Sequence, residues 1–333
     1  DNSMYIDLCN DSWQVIKIDA LGWKILDESP VAFTRTSNMK SLPMPIEGGD
    51  ISLLLKHINI YEGDLPLAVG WLLMSLQAGP GAYPVMILNG SAGTGKTTAS
   101  RMFRELVDPN KIDVLSKPKL QDMRVIGATN HMLAFDNLSG ISPQFSDAIC
   151  KIATGDHQAV RVLHTTNDEM TISIKKPCLM NGIDEIAKRG DLVSRSIKLP
   201  LSKIKARKTE AKVWNDFNKD TPSIFGALLD GLVTSIQEIP HTEVGELSRM
   251  ADFCRLSTAA SNAYGWGENE FMNAYKKNIR NTHVDSLESS TFASGIVKMF
   301  ERESNFYGRP IKLLERLEDK CYVSEKVIRS QKW

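Results

Sequence analysis

The chain has 333 residues, 42% of them hydrophobic, and its 40 basic and 40 acidic side chains cancel to a net charge of zero. That content can bury a full core over about two domains, and it excludes a general positive field, so nucleic-acid contacts must come from local basic patches. Five scattered cysteines (Cys9, Cys150, Cys178, Cys254, Cys321) with no C-x-x-C pair point to reduced thiols in a cytoplasmic protein, away from a disulfide frame or a zinc site.

The start at Asp1 without methionine reads as that of a fragment, and no signal peptide is visible. Residues 1–48 carry short alternating runs such as Trp13-Gln14-Val15-Ile16-Lys17-Ile18, Trp23-Lys24-Ile25-Leu26 and Val31-Ala32-Phe33-Thr34, which predict a small β module. Pro43, Pro45, Gly48 and Gly49 close it with a linker. The longest apolar stretch, Leu65 to Leu76, is too short for the ~20 residues that span a bilayer. Asp64 and Pro66 at its start predict a capped, buried helix.

Residues 49–200 then alternate helix-like and strand-like segments, as a parallel sheet covered by helices requires. Within them Gly90-Ser91-Ala92-Gly93-Thr94-Gly95-Lys96-Thr97 matches G-x-x-x-x-G-K-[ST], between the strand-like Val85 to Asn89 and a helix-like run from Thr97 and Thr98 to Leu106. Glycines there let backbone N–H groups wrap phosphate oxygens, Lys96 reaches the β/γ phosphates, and Thr97 can hold Mg²⁺. The predicted ligands are therefore ATP, or another nucleoside triphosphate, and Mg²⁺.

Met132-Leu133-Ala134-Phe135-Asp136 predicts a second strand whose terminal acid can hold the metal's water shell, and Asn137 follows it. The segments 153–164 and 170–177, joined across Asp168 and Glu169, predict a β-hairpin. Its basic side chains Arg161, His164, Lys175 and Lys176 are candidates either for DNA phosphates or for a solvated face. A third strand, Cys178-Leu179-Met180, leads into Asn181, an amide placed to orient the attacking water. Arg195 follows fourteen residues later and can reach a neighbouring subunit's γ-phosphate, with Arg189 as its nearest competitor.

Residues 201–333 read as helical, with segments at 207–219, 222–238, 246–264, 268–280, 291–302 and 310–320. Arg249 is a candidate lid arginine for the nucleotide or an ordinary surface residue. His57, His131, His157 and His241 lack partners at metal-ligand spacing and read as structural. Trp13, Trp23, Trp71, Trp214 and Trp266 fall on apolar patterns that predict core positions.

The hairpin and sensor segment, Ala153-Thr154-Gly155-Asp156 through Arg161-Val162-Leu163-His164 to Met170 and on to Asn181, resembles that of superfamily-3 AAA+ helicases. It is most similar to the helicase halves of phage and mobile-element primase-helicases. The ordered set of phosphate loop, Asp136 strand, hairpin, Asn181 and Arg195 covers roughly residues 85 to 200. The resemblance implies an AAA+ P-loop ATPase core, with helices on both faces of the sheet, at 49–200. It also implies a homo-oligomeric ring, commonly a hexamer, that hydrolyses ATP between subunits with its hairpins facing DNA. The implied activity is a DNA helicase or translocase for phage or mobile-element replication, with a primase as candidate partner and no membrane. The last helices resemble the opening of a winged-helix domain.

Two departures separate this chain from that pattern. Asn137 stands where the family has a second acid, and the hairpin turn is acidic at Asp168 and Glu169. Both favour an alternative, a non-translocating ATPase that loads a helicase or switches assembly on DNA. A small-molecule kinase is disfavoured, because a hairpin, sensor and finger in this order have no role in a monomeric kinase.

Overall fold

The computed structural model describes residues 3–77, 79, 81–161, 169–182, 186–187, 189–245, 249–267, 269–289, 291–319 and 322–323. Three short strands open the chain: β1 (Met4–Asp7), β2 (Val15–Asp19) and β3 (Gly22–Leu26), paired antiparallel in the order β1-β2-β3. The run 31–34, predicted as strand, is not one. Ile6, Leu8, Ile16 and Ile18 of this sheet join the same hydrophobic cluster as the helices that follow, so the module is packed into the body.

The helices are α1 (Leu54–His57), α2 (Leu65–Leu76), α3 (Lys96–Val107), α4 (Met123–Thr129), α5 (Pro143–Thr154) and α6 (Gly190–Val193), interleaved with strands β4 (Val85–Asn89) and β5 (Leu133–Leu138). The hairpin is β6 (Asp156–Arg161) and β7 (Glu169–Ile174), followed by β8 (Cys178–Gly182) and β9 (Ser196–Pro200). Every residue of α2 is buried, which explains an apolar run without helical periodicity. Asp64 precedes α2 as the last residue of a 3₁₀ turn and makes no side-chain cap, so Pro66 in the first turn and burial specify this helix.

A four-stranded sheet lies at the centre in the order β5-β8-β4-β9, with every registered pair parallel. Alternation along its strands sends side chains to two cores. Met86, Leu88, Leu179, Ile197 and Leu199 enter one, with Leu72, Met102 and Phe103 of α2 and α3. Val85, Ile87, Leu133, Phe135, Cys178 and Met180 enter the other, with Phe145 and Ile149 of α5. The fold is thus α/β, a parallel sheet flanked by helices. On the outer strand β9, Asn278 accepts from the Lys198 N–H at 3.1 Å and donates to its carbonyl at 2.6 Å, supplying in place of a further strand the bonds an edge leaves open.

The C-terminal part is helical among the described residues: α7 (Glu210–Glu238), α8 (Ala251–Ala259), α9 (Glu270–Ser289), α10 (Thr291–Phe300) and α11 (Pro310–Asp319). Two helices were predicted where α7 runs unbroken through Pro222. A proline inside a helix costs ~3 kcal/mol, and here a buried face from Phe217 through Ile224, Phe225, Leu228 and Leu232 continues across it. The predicted linker is held against α7: Ile46 N–H donates to the Pro222 carbonyl at 3.1 Å, and a β-carbon on Gly226 would collide with the Ile46 carbonyl. At the other end, Met299, Leu317, Tyr322 and Val323 form a small separate cluster.

Candidate nucleotide site

Strand β4 leaves the sheet at Asn89 and the chain turns through Gly90 to Gly95 into α3. Gly93 and Gly95 have φ of 79° and 83°, the left-handed region in which glycine alone is unstrained. This turn places the first N–H groups of a twelve-residue helix at the loop's mouth. Lys96 Nζ donates to the carbonyls of Gly90 and Ser91 at 2.6 and 2.9 Å. Burial pulls the ammonium below its usual pKa, and the Asp136 charge partly offsets that. Thr94 is buried and donates from its hydroxyl to the Ser91 carbonyl at 3.0 Å, bracing the loop, while Ser91, Ala92 and Gly93 are exposed.

Thr97, in the first turn of α3, donates to Asp136 Oδ1 at 2.8 Å. Asp136 sits on β5, two strands away in the sheet order, and Asn181 on the intervening β8 donates to the same oxygen at 2.6 Å. Asn181 is 1% exposed and donates also to Ser100 Oγ at 2.8 Å, and its Oδ1 accepts the Asn137 N–H at 2.9 Å. Thr97, Asp136, Asn137 and Asn181, distant in sequence, therefore meet beside Lys96 at the C-terminal edge of the sheet, where open α/β sheets hold ligands. Thr98, on the same turn, is half-buried.

Asn137 has φ of 54° and lies where the pairing with β8 slips, between Phe135 opposite Met180 and Leu138 opposite Gly182. Asparagine tolerates this left-handed bulge better than most residues. Its side chain is exposed, and its backbone makes the bond to Asn181.

The arginines are elsewhere. Val85 N–H donates to the Arg195 carbonyl at 2.8 Å, so Arg195 stands at the N-terminal end of β4, the end opposite the phosphate loop. Five strand residues, roughly 15 Å of sheet, separate it from Gly90. Its guanidinium pairs with Asp191, and Arg249 donates to the same carboxylate at 3.1 Å and to Ser194 Oγ at 2.7 Å. Arg249 is therefore engaged at the end of the sheet opposite the glycine loop. Arg189 pairs with Asp147 at 3.1 Å.

Among the hairpin candidates, Arg161 ends β6, and His164 lies outside the described residues. Lys175 donates to the carbonyls of Gly79 and Gly81 at 2.6 and 3.0 Å, and burial lowers the pKa of Lys176. The structure thus ties the Lys175 side chain to the base of the hairpin and half-buries Lys176 there. His57 bonds Asp220 at 2.8 Å and the buried His131 bonds the Ser75 carbonyl at 2.7 Å, both as structural residues. Trp71 is buried as expected, whereas Trp13 is 56% exposed under the Arg35 guanidinium. No group of metal-ligating His, Cys, Asp or Glu occurs among the described residues, and no described helix is long and apolar enough to cross a membrane.

Sequence reading did not single out Ser100, although it lies three residues past Thr97 on the same helix face. It also passed over Arg207, in the basic run Lys203, Lys205, Arg207, Lys208 after β9, whose guanidinium overhangs Gly93. An apolar cavity of about 790 Å³ bounded by Met4, Ile6, Leu76, Leu232 and Ile236 touches only the far end of α3, at Val107, and is no part of this site.

No curated protein matches the chain in sequence. Three apo structures of the NrS-1 C-terminal region are similar to it at 15, 13 and 12% identity, with TM-scores of 0.41, 0.38 and 0.42. The matches cover 58, 59 and 70% of this chain and 49, 48 and 55% of those chains, so the chain spans about half the length of the structures it matches. The model of the replication proteins of actinomycete integrative conjugative elements matches residues 51–285, a span that takes in the glycine loop, the central sheet, α7, α8 and most of α9. The chain belongs to that family, and so to the replication proteins of mobile elements.

Proposed function

We propose that the chain is a Mg²⁺-dependent ATPase that drives a DNA helicase or translocase in replication of its element, working as a ring with sites between subunits. The observation that carries the nucleotide assignment is the bonded set Thr97, Asp136 and Asn181 beside Lys96 at the mouth of a glycine loop. The residues fit the ligand. Lys96 already satisfies itself on two carbonyls that a phosphate can replace, and a hydroxyl and a carboxylate stand 2.8 Å apart, the donor types a magnesium ion takes. Thr97 and Asp136 would hold the ion, and Gly90 to Thr98 the phosphates. When bound, the ion neutralises charge on the phosphate oxygens. Asn181 orients Asp136 through one hydrogen bond; its second N–H is taken by Ser100, so one Oδ1 lone pair is what it can offer a water. Arg195 pairs with Asp191 at the other end of the sheet, so in this reading any nucleotide it serves belongs to a neighbouring subunit. DNA, a homo-oligomer and a primase are the partners this reading requires.

Asn137 favours a second reading, a loader or assembly switch that binds ATP and turns it over slowly, because an amide cannot accept the proton of an attacking water. Strand separation of a forked duplex, measured beside phosphate release with Mg²⁺ and with EDTA, tests both. Unwinding that scales with Mg²⁺-dependent turnover supports the helicase, turnover on DNA without unwinding supports the loader, and absence of nucleotide binding removes both.

A further inference from the structure

The segment after β9 does not leave the site but crosses it. Leu201 N–H donates to the Asn89 carbonyl at 2.7 Å, and a β-carbon on Gly90 would stand 3.0 Å from the Leu201 carbonyl. Ser202 donates its N–H and its hydroxyl to the Asn59 carbonyl at 2.8 and 3.2 Å, and Asn59 Nδ2 donates to the Thr94 carbonyl at 3.4 Å. Ile204 Cδ1 would lie 3.4 Å from a β-carbon on Gly95, and Arg207 Nη2 3.3 Å from one on Gly93. All three glycines of the loop thus face one strap, and Arg207 meets the exposed crest.

Arg207 is exposed and makes no hydrogen bond or ion pair among the described residues. Its neighbours differ. Lys208 pairs with Asp216 at 2.9 Å, and Glu210, three positions on, is taken by Arg101 at 2.9 Å. A guanidinium therefore stands against a loop of N–H donors at the start of α3, with no ion pair to a carboxylate among the described residues. A planar five-donor fork suits phosphate oxygens, as the start of a helix does.

We propose that Arg207 contacts the phosphate chain of the bound nucleotide within its own subunit, a contact that rests on the nucleotide reading above. The strap delivers it: β9 anchors one end, Asn59 the middle, and α7 begins three residues beyond. Each subunit then carries two cations for its own phosphates, Lys96 and Arg207, both distinct from Arg195, which stands too far away.

The test is titration of a fluorescent N-methylanthraniloyl ATP with Mg²⁺ into the full chain, comparing wild type, Lys96→Ala, Arg207→Ala and Arg207→Lys. Loss of one charge-assisted contact to phosphate should weaken Arg207→Ala roughly 5- to 20-fold, with Arg207→Lys intermediate and the salt dependence of the alanine variant shallower. Because Arg207 is exposed and unbonded, its variants should keep the wild-type thermal midpoint, which separates a binding loss from misfolding. An Arg207→Ala affinity within fivefold of wild type, while Lys96→Ala loses binding, would overturn the Arg207 contact and leave the nucleotide site standing. Tighter binding by Arg207→Ala would also overturn it, showing a guanidinium that occupies the anion's place. If wild type itself fails to bind, the nucleotide reading falls and this contact with it.

Discussion

The Asn181 amide donates to the Asp136 carboxylate across 2.6 Å, tying the C-terminal ends of β8 and β5 into one unit beside the phosphate loop. Asn181 simultaneously donates to Ser100 and accepts from the Asn137 backbone, so one buried side chain holds a helix and two strands. Replacing it with leucine removes the donors to Asp136 and Ser100 and the acceptor of the Asn137 N–H, while the Ser100 hydroxyl keeps its bond to the Lys96 carbonyl. A hydrogen bond of this kind is worth about 0.5–1.5 kcal/mol, and about 1.5–3 kcal/mol where the partner is charged, as at Asp136. Asn181→Leu should therefore lower the unfolding free energy in urea denaturation by about 1–3 kcal/mol and abolish turnover, and wild-type stability in this variant would show that the network is not formed.

Lys96 contributes charge to the site and little to the core. Lys96→Ala should bind no ATP at concentrations that saturate wild type, while unfolding within about 0.5 kcal/mol of it, as changes outside buried networks do. Isothermal titration and urea denaturation on the same samples check both halves.

The left-handed backbone at Asn137 limits what can stand there. Restoring a second acid with Asn137→Glu should cost about 1 kcal/mol of stability, since glutamate lacks asparagine's tolerance of positive φ. Turnover should not rise, because a bulge that relaxes draws the Asn137 N–H away from Asn181. Asn137→Gly, which suits the φ, should match wild type in stability. A glutamate variant both stable and faster would show that the missing acid, and not the backbone, governs this position.

Arg195 stands at the far end of the sheet from its own phosphate loop, so its removal should spare ATP binding and slow hydrolysis. Mixing Arg195→Ala with Lys96→Ala should partly restore phosphate release, because an intact Lys96 pocket then meets an intact Arg195 from a neighbour. Mixed oligomers confirmed by differential tags but without recovered activity would exclude a shared site completed by Arg195, and Arg189 would be tested next.

Acid should loosen the N-terminal sheet. Burial disfavours the Asp7 carboxylate, but two bonds from Arg35, at 2.8 and 2.6 Å, and one from the Cys9 N–H outweigh it and hold the carboxyl below its ordinary value. The unfolded chain takes up this proton first, so the stability from the pair is complete above pH ~4 and is lost as pH falls through the lowered Asp7 pKa. The stability gap between wild type and Asp7→Asn should shrink across that window, and a gap constant down to pH 3 would rule the pair out as its source.

Local chemistry determined much of this protein in advance. The strand, glycine loop and helix around Lys96 were legible because backbone requirements and phosphate chemistry restrict the residues allowed there. The Asp136 and Asn181 strands were legible because each ends an apolar run in one polar side chain, and the hairpin because its two β-rich runs flank a turn. Other features needed the tertiary structure, because they depend on what packs against them. Pro222 reads as a helix end, yet a continuous buried face carries α7 through it. Pro43 to Gly49 reads as a linker, yet its backbone docks on α7 at Gly226. Lys175 and Lys176 read as a basic face until neighbouring carbonyls and burial claim them. Arg207 is one cation in a basic run by sequence, and only the return of the chain from β9 across the phosphate loop sets its guanidinium against Gly93, a position fixed by contacts between residues more than a hundred apart in the chain.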